Sequence, residues 1–448
     1  MAEPSEGFFA GAILCKDSEL SGATANETTL RKFINTLNDA YDDRCEGAGN
    51  DKATFKRLIE LHDEVNKEKF YTNAIVGVSA AKAVKSFMKQ QSTFKTQGEP
   101  VAAYLTGKKW PEKVNHFKFE AFGMADYNSS DVIVEYKNGN RPVFLGVSLK
   151  KKPKPTAPDP TIINKAFDTI LNGTNQKFKK IITDLQTARQ DFFAGVIKDA
   201  MLTGPLVGLA ELPDGSNPRN ATNEKLWSVK IPVRKNGDIV NVDLINLKDT
   251  GNIDDPALLN TSEISKTDAN AMRDFVNKKL GKVGNEPNSL YKQFLKVIMG
   301  EQDLFANTLI NLVLKKELMN QLSEYTDNDF EFVLCTGIGE CKINKNGMSI
   351  AESVGTTIGM DSIALALAAL RKAKKTIEID AQKTAASKAA KLYFKLKADT
   401  IELLDLELRY KGNFKHQPQF QAFIATGLKK LLTGDGQFAN IKKFYASL

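Results

Sequence analysis

The spacing of apolar residues changes character twice along this chain. Phe55, Leu58, Ile59, His62 and Val65 recur at three- and four-residue steps, the stripe of an amphipathic helix. His62 lies on that stripe and reads as a core-edge histidine. A further helix is expected over 80–88, so the first hundred residues read as helical. Near residue 117 the pattern turns to alternation. Residues 131–136 read as a strand, Lys137-Asn138-Gly139-Asn140 supply turn chemistry, and 142–150 read as a second strand, together a hairpin. Pro153, Pro155, Pro158 and Pro160 then predict an extended linker, because proline fixes φ and donates no hydrogen bond. Helices are expected from about 161 and over 176–200.

Farther on, 226–233 and 239–247 read as strands, and 262–321 as helical with Phe305, Leu309, Leu312 and Val313 on one face. Two short strands, 330–335 and 341–343, flank Thr336-Gly337-Ile338-Gly339-Glu340, which reads as a glycine turn. It lacks the third glycine of a dinucleotide fingerprint and the lysine of a P-loop. A helix over 362–375, strands over 391–397 and 401–410, and helices from 418 onward complete the pattern. The alternation in Leu404-Asp405-Leu406-Glu407-Leu408-Arg409-Tyr410-Lys411 predicts a half-buried strand at a sheet edge or solvent face. The fold class is therefore α/β (α+β). We expect three regions: a helical one over 1–110, a core of hairpin and helices over 111–200, and a mixed one over 201–448. The last either completes the same sheet or forms a second nucleic-acid-binding domain.

Length and composition narrow the class. The chain has 448 residues, 42% hydrophobic and 26% charged, enough to bury a full core without disulfide or metal staples. Its acidic opening, Met1 to Glu6, is unlike a secretory signal, and no apolar run approaches the ~20 residues of a membrane span. A soluble protein of the cytoplasm, in a bacterial or phage-infected cell, is the expectation. Four cysteines make no disulfide framework, and Cys335 and Cys341 lack the partners of a zinc site. His62, His116 and His416 lie far apart, which argues against a histidine triad.

Charge shifts the picture towards a polyanion. The formal net charge is +8. Residues 137–190 hold eleven basic side chains against Asp159, Asp168 and Asp184, an excess equal to that of the whole chain. Lysines clustered in this way release counterions when set against phosphates. A solvated charged face is the competing explanation for any one cluster.

Chemistry concentrates in the hairpin. Side chains alternate along a strand, so Val143, Leu145, Val147 and Leu149 share one face, and Phe144, Gly146, Ser148 and Lys150 the other. Asp131 opens a row with Ile133 and Glu135 on the neighbouring strand. An acid opening one strand can thus meet a lysine closing the next. Phosphodiester hydrolysis uses such a pair: a carboxylate to hold Mg²⁺ and a lysine to orient water or offset developing charge. Gly146 would leave room for a backbone or a phosphate, or mark a bulge.

Over Asp126 to Lys154 the sequence resembles the PD-(D/E)XK nuclease superfamily, the restriction-endonuclease-like fold. The resemblance implies a mixed sheet flanked by helices, here with large helical additions. It implies Asp131 as metal ligand, Lys150 as catalytic cation and the Leu149 carbonyl facing the metal. An upstream helical glutamate is an extra ligand in some members; Glu120 is the choice here, with Glu112, Glu64 and Glu60 as alternatives. This sequence departs from the pattern at Ser130, in place of proline, and at Ser148, in place of the second acid. Serine carries no negative charge, and Asp159 or Asp168 would have to substitute for it. The site expected is therefore Asp131, Ser148 and Lys150 with Mg²⁺. DNA, or RNA, would be gripped by Lys151, Lys152, Lys154, Arg409 and Lys411, and a homodimer suits paired cuts. The alternative is a non-catalytic nucleic-acid-binding or phage structural protein that keeps a degenerate nuclease fold.

Overall fold

The computed structural model describes residues 3–47, 66–90, 99–107, 110–118, 130–157, 161, 163–166, 176, 179–185, 187, 230–235, 238–243, 290–314, 330–373, 378–382, 391–410, 418–434 and 441–448. These divide into two units, each assembled from separated stretches of chain. The first draws on 1–162, 314–369 and 430–448, the second on 163–313 and 370–429.

The described strands are β1 (Cys45–Glu46), β2 (Ala102–Leu105), β3 (Val132–Asn138), β4 (Arg141–Lys152), β5 (Ile163–Ala166), β6 (Lys230–Lys235) and β7 (Asp238–Asp243). They continue with β8 (Phe330–Asn344), β9 (Gly347–Gly359), β10 (Glu378–Gln382), β11 (Lys391–Ala398), β12 (Ile401–Tyr410) and β13 (Pro418–Ile424).

The first unit is built on a six-stranded mixed sheet in the order β1-β2-β3-β4-β8-β9. Strands β2, β3 and β4 form an antiparallel meander, and β8 lies parallel to β4 from Phe144↔Phe330 to Lys152↔Ile338. The β3–β4 turn is tight: Asn138 pairs with Arg141, and Gly139 takes φ +61°, a conformation glycine adopts without a Cβ clash.

Helices α1 (Pro4–Leu14), α2 (Asp17–Leu20), α3 (Glu27–Tyr41) and α4 (Lys67–Gln90) precede or interrupt the early strands. Proline at the first position of α1 suits a helix start, where the missing N–H has no intrahelical partner. Every residue from Gly7 to Leu14 is buried, so α1 is an interior helix. In α3, Leu30, Phe33, Ile34 and Leu37 form its buried stripe. Asn26 caps that helix, its Oδ1 accepting the Thr29 N–H at 2.9 Å. These helices share one core with Val132, Val134, Val143, Leu145, Val147 and Val333. The opposite row of the sheet gathers aromatic rings: Phe117 lies 5.0 Å from Phe144 and 4.4 Å from Phe330.

Helix α4 approaches β8 closely enough to decide its sequence. Residues 330–344 form one continuous strand rather than two strands about a glycine turn. A Cβ on Gly337 would stand 2.2 Å from the Val76 carbonyl oxygen, so the glycine serves close helix-to-sheet contact. Beside it β9 carries a bulge: Thr336 pairs with Thr356 and Ile338 with Ser353, which places Val354 and Gly355 opposite Gly337. Ser79 of α4 repairs the ladder there. Its hydroxyl accepts the Ile338 N–H at 2.9 Å and donates to the Ser353 carbonyl at 2.8 Å. Farther along β8, Thr72 accepts the Cys341 N–H at 2.9 Å and Glu68 the Ile343 N–H at 3.1 Å.

The second unit contains an antiparallel sheet ordered β10-β11-β12-β13-β5 and the separate hairpin β6–β7. Helices Leu290–Gly300 and Gln302–Leu314 belong to it, and Phe305 packs 5.0 Å from Phe420 of β13. Three sequence expectations are corrected here. Residues 163–166 are a strand rather than the start of a helix, and 418–424 are a strand before the helix Thr426–Thr433. Strand β12 is central, not an edge: β11 and β13 flank it, and Glu407 is buried between Tyr393 and Gln421. Its alternating charges thus include one carried into the interior, and burial raises the Asp405 carboxyl above its ordinary range.

All four cysteines are buried, and none is in a disulfide. Among the described residues, no helix is long and apolar enough to cross a membrane.

Candidate active site

Where β3 begins and β4 ends, the hairpin brings Asp131, Ser148 and Lys150 together. The Asp131 backbone N–H donates to the Val147 carbonyl at 2.8 Å, which extends the ladder one residue beyond β3. Its side chain then turns to the β4 backbone. Oδ2 accepts the Leu149 N–H at 2.6 Å and lies 3.5 Å from Ser148 Oγ and 3.7 Å from Lys150 Nζ. Asp131 and Lys150 are each about a quarter exposed (29% and 27% of their side chains), whereas Ser148 is buried. The carboxylate is thereby fixed by a backbone donor, with one cation beside it and a route to solvent. The Leu149 carbonyl leaves β4 on the same edge as its N–H, which places it on the Asp131 side.

A second carboxyl group lies within electrostatic range of this point, on an element the sequence reading passed over. Glu6, in the first turn of α1, accepts the Glu3 N–H at 2.8 Å, the glutamate half of a capping box. Burial, reinforced by the negative charge of Asp131, pushes the Glu6 carboxyl up to about 7 despite the Glu3 N–H and Lys150. The charges of Asp131 and Lys150 thus both act on a partly desolvated Glu6 carboxyl. The signal for Glu6 was present in the sequence: Glu3-Pro4-Ser5-Glu6 precedes an unbroken apolar run. An acid at the head of an interior helix is carried partway into the core.

The remaining sequence candidates fall in different places. Lys151 is half exposed and bonds Glu3 Oε2 at 2.7 Å. Lys152 is buried, its ammonium 3.3 Å from the Pro155 carbonyl, so it is not presented on the surface. Lys154 is exposed. Glu120, Glu60, Glu64, Asp159, Asp168 and Lys411 lie outside the described residues, as do His62 and His416. Arg409 is the penultimate residue of β12 in the second unit. Gly146 does not leave room for a phosphate. A Cβ there would meet Ser130 Oγ at 2.4 Å and Phe330 Cζ at 2.7 Å, so its space is taken by the protein itself.

Two other polar clusters in the first unit are satisfied internally. Glu135, buried on β3, accepts the Tyr104 hydroxyl at 2.5 Å and Lys113 at 2.7 Å, and Lys113 also lies over the Tyr104 ring. Burial, then the bond to Glu135, push the Tyr104 hydroxyl up to about 12. A cleft of about 610 Å³ between α4 and β9 holds the Lys82–Glu352 ion pair at 2.9 Å. Its charges are paired with each other, and its lining includes none of the hairpin residues.

Among the described residues, no group of three or more His, Cys, Asp and Glu side chains is arranged to hold a metal ion. Asp131 supplies a carboxylate at the corner with the Leu149 carbonyl on the same side, and the Glu6 carboxyl lies within electrostatic range of it. Mg²⁺ commonly binds one or two carboxylates and completes its shell with water and substrate phosphate. The donor set fits that ion, and a carboxyl destabilised by burial beside another acid gains from a cation. No protein-family model matches the chain, and no curated protein or solved structure matches it.

Proposed function

We propose that this chain is a Mg²⁺-dependent nuclease that hydrolyses phosphodiester bonds in DNA, with Asp131 and Glu6 holding the ion and Lys150 as catalytic cation. The observation that carries this reading is the hairpin corner itself. A carboxylate anchored at 2.6 Å to a backbone N–H stands 3.7 Å from a lysine ammonium, at the surface of a mixed sheet. The finer fold assignment, restriction-endonuclease-like, belongs to the same reading. It is supported by the meander β2-β3-β4 with Asp131 and Lys150 together at one end of its hairpin.

When bound, Mg²⁺ would polarise the phosphate and lower the pKa of a water. The chain's own residues supply the rest. The Leu149 N–H holds Asp131 in one orientation, so its charge is placed before substrate arrives. Ser148 adds a hydroxyl donor to the same carboxylate, where the family pattern has a further acid. Lys150, partly screened from water, offsets negative charge developing on the phosphate oxygens or orients the attacking water. Lys154, exposed just past the end of β4, and Lys151, on the other face of that strand, are the cations that flanking backbone phosphates would meet.

Incubation of the protein with supercoiled and linear DNA, in Mg²⁺, Mn²⁺ or EDTA, tests the proposal. Metal-dependent cutting is expected, reduced about 10²–10³-fold in Lys150→Ala, Asp131→Asn and Glu6→Gln. Cutting that survives all three variants would move the active site elsewhere. Ser148, standing where an acid is expected, favours a second reading in which the corner binds nucleic acid without cutting it. Salt-sensitive retention of DNA with no cleavage in any metal would establish that reading instead.

A further inference from the structure

On the strand that carries Lys150, one carboxylate occupies a lysine that a flanking phosphate would need. Glu3 Oε2 lies 2.7 Å from Lys151 Nζ, with the two side chains 62% and 47% exposed. Lys151 follows Lys150 directly, so alternation turns it to the face of β4 opposite Ser148 and Lys150. The pair is not what holds α1 in place. Gly7 to Leu14 are buried throughout, and an exposed ion pair adds little to such an anchor. Its larger consequence is electrostatic: it neutralises the cation next in sequence to Lys150.

We propose that Glu3 is a built-in phosphate mimic, which holds Lys151 until a nucleic-acid phosphate displaces it. The inference rests on the nuclease reading of the same corner. Both partners are solvent-exposed, so the pair can exchange by side-chain rotation. The Glu3 backbone can stay in place during it, with its N–H still on Glu6 at 2.8 Å and its carbonyl still accepting the Glu6 N–H at 2.9 Å. The contact therefore raises the threshold for weak polyanion binding while leaving the carboxylate corner assembled. Ligands that bring several phosphates overcome it, and single small anions do not.

The test is a double-mutant cycle on binding of the full chain to a short duplex DNA, in Ca²⁺ to prevent cleavage, across a salt series. Glu3→Gln should bind two- to fivefold more tightly, the worth of an exposed ion pair. Its log–log salt slope should steepen by up to about one, the contribution of one freed phosphate contact. In a Lys151→Ala background the same substitution should gain nothing. Glu27→Gln, which removes an equal charge from the Arg31 pair on α3, serves as the control for net charge. A gain from Glu3→Gln that persists without Lys151, or that Glu27→Gln reproduces, overturns the proposal and leaves the nuclease reading intact. Absence of duplex binding in every variant overturns both.

Discussion

At the residue scale, the corner depends on a bond that serves both folding and chemistry. Asp131 accepts a backbone N–H that would otherwise lose its partner at the end of β3. Removing it by Asp131→Ala leaves the Leu149 N–H unmet, a loss of about 1–3 kcal/mol where that group is shielded from water. Asp131→Asn keeps an acceptor oxygen and loses the charge. The two variants should therefore separate: both lose Mn²⁺ binding by calorimetry, while only the alanine lowers the melting temperature clearly. Equal melting temperatures for the two would mean that the Leu149 bond contributes nothing to stability. Ser148 and Lys150 were legible from strand alternation alone, because period two obliges them to project together. Lys152 projects from the same face, yet the chain leaving β4 folds over it and its ammonium turns to the Pro155 carbonyl.

At the scale of elements, α4 and β8 act as one piece. A helix backbone this close to a strand needs glycine in the strand and a hydroxyl at the bulge, and Gly337 and Ser79 supply them. Ser79→Ala leaves the buried Ile338 N–H without its acceptor and should destabilise the first unit by about 1–3 kcal/mol. Thermal denaturation would register the loss, and hydrogen exchange at Ile338 would locate it. An unchanged melting temperature with unchanged protection at Ile338 would show that the hydroxyl does not repair the ladder. Read locally, Thr336-Gly337-Ile338-Gly339 has turn composition, since glycine is commonest where the chain reverses. The strand persists through it because β4 and β9 pair on its two edges and α4 fills the space over the missing side chains.

At the scale of the molecule, the chain is discontinuous in both units. Strand β8 lies parallel to β4, and a parallel pair needs a long crossover. Here the residues between the two strands include 163–313 of the second unit. A fragment ending at residue 200 would lack β8 and β9. It would leave β4, the hairpin strand bearing Lys150, as an unpaired edge with Val333 and Cys335 missing from the core. Such a fragment should aggregate or unfold without cooperativity, as size-exclusion chromatography and circular dichroism would reveal. A soluble, cooperatively folding fragment would mean that the first 200 residues suffice for the fold.

The sequence by itself determined the hairpin, its turn, and the meeting of Asp131 with Ser148 and Lys150. These are short-range consequences of strand period and turn chemistry, set within about twenty residues. It also determined the helix over 80–88 and the alternation of β12, whereas the region over 1–110, read as helical, also carries strands β1 and β2. Only the tertiary structure brought Glu6 within electrostatic reach of Asp131, because those residues are distant in the chain and α1 is buried beside the sheet. Only it decided that 163–166 and 418–424 are strands, since each completes a sheet whose other members lie far away in sequence. The burial of Glu407 and the close seat of Gly337 under α4 arose in the same way. Local spacing states which residues share a face, and long-range packing decides what that face meets.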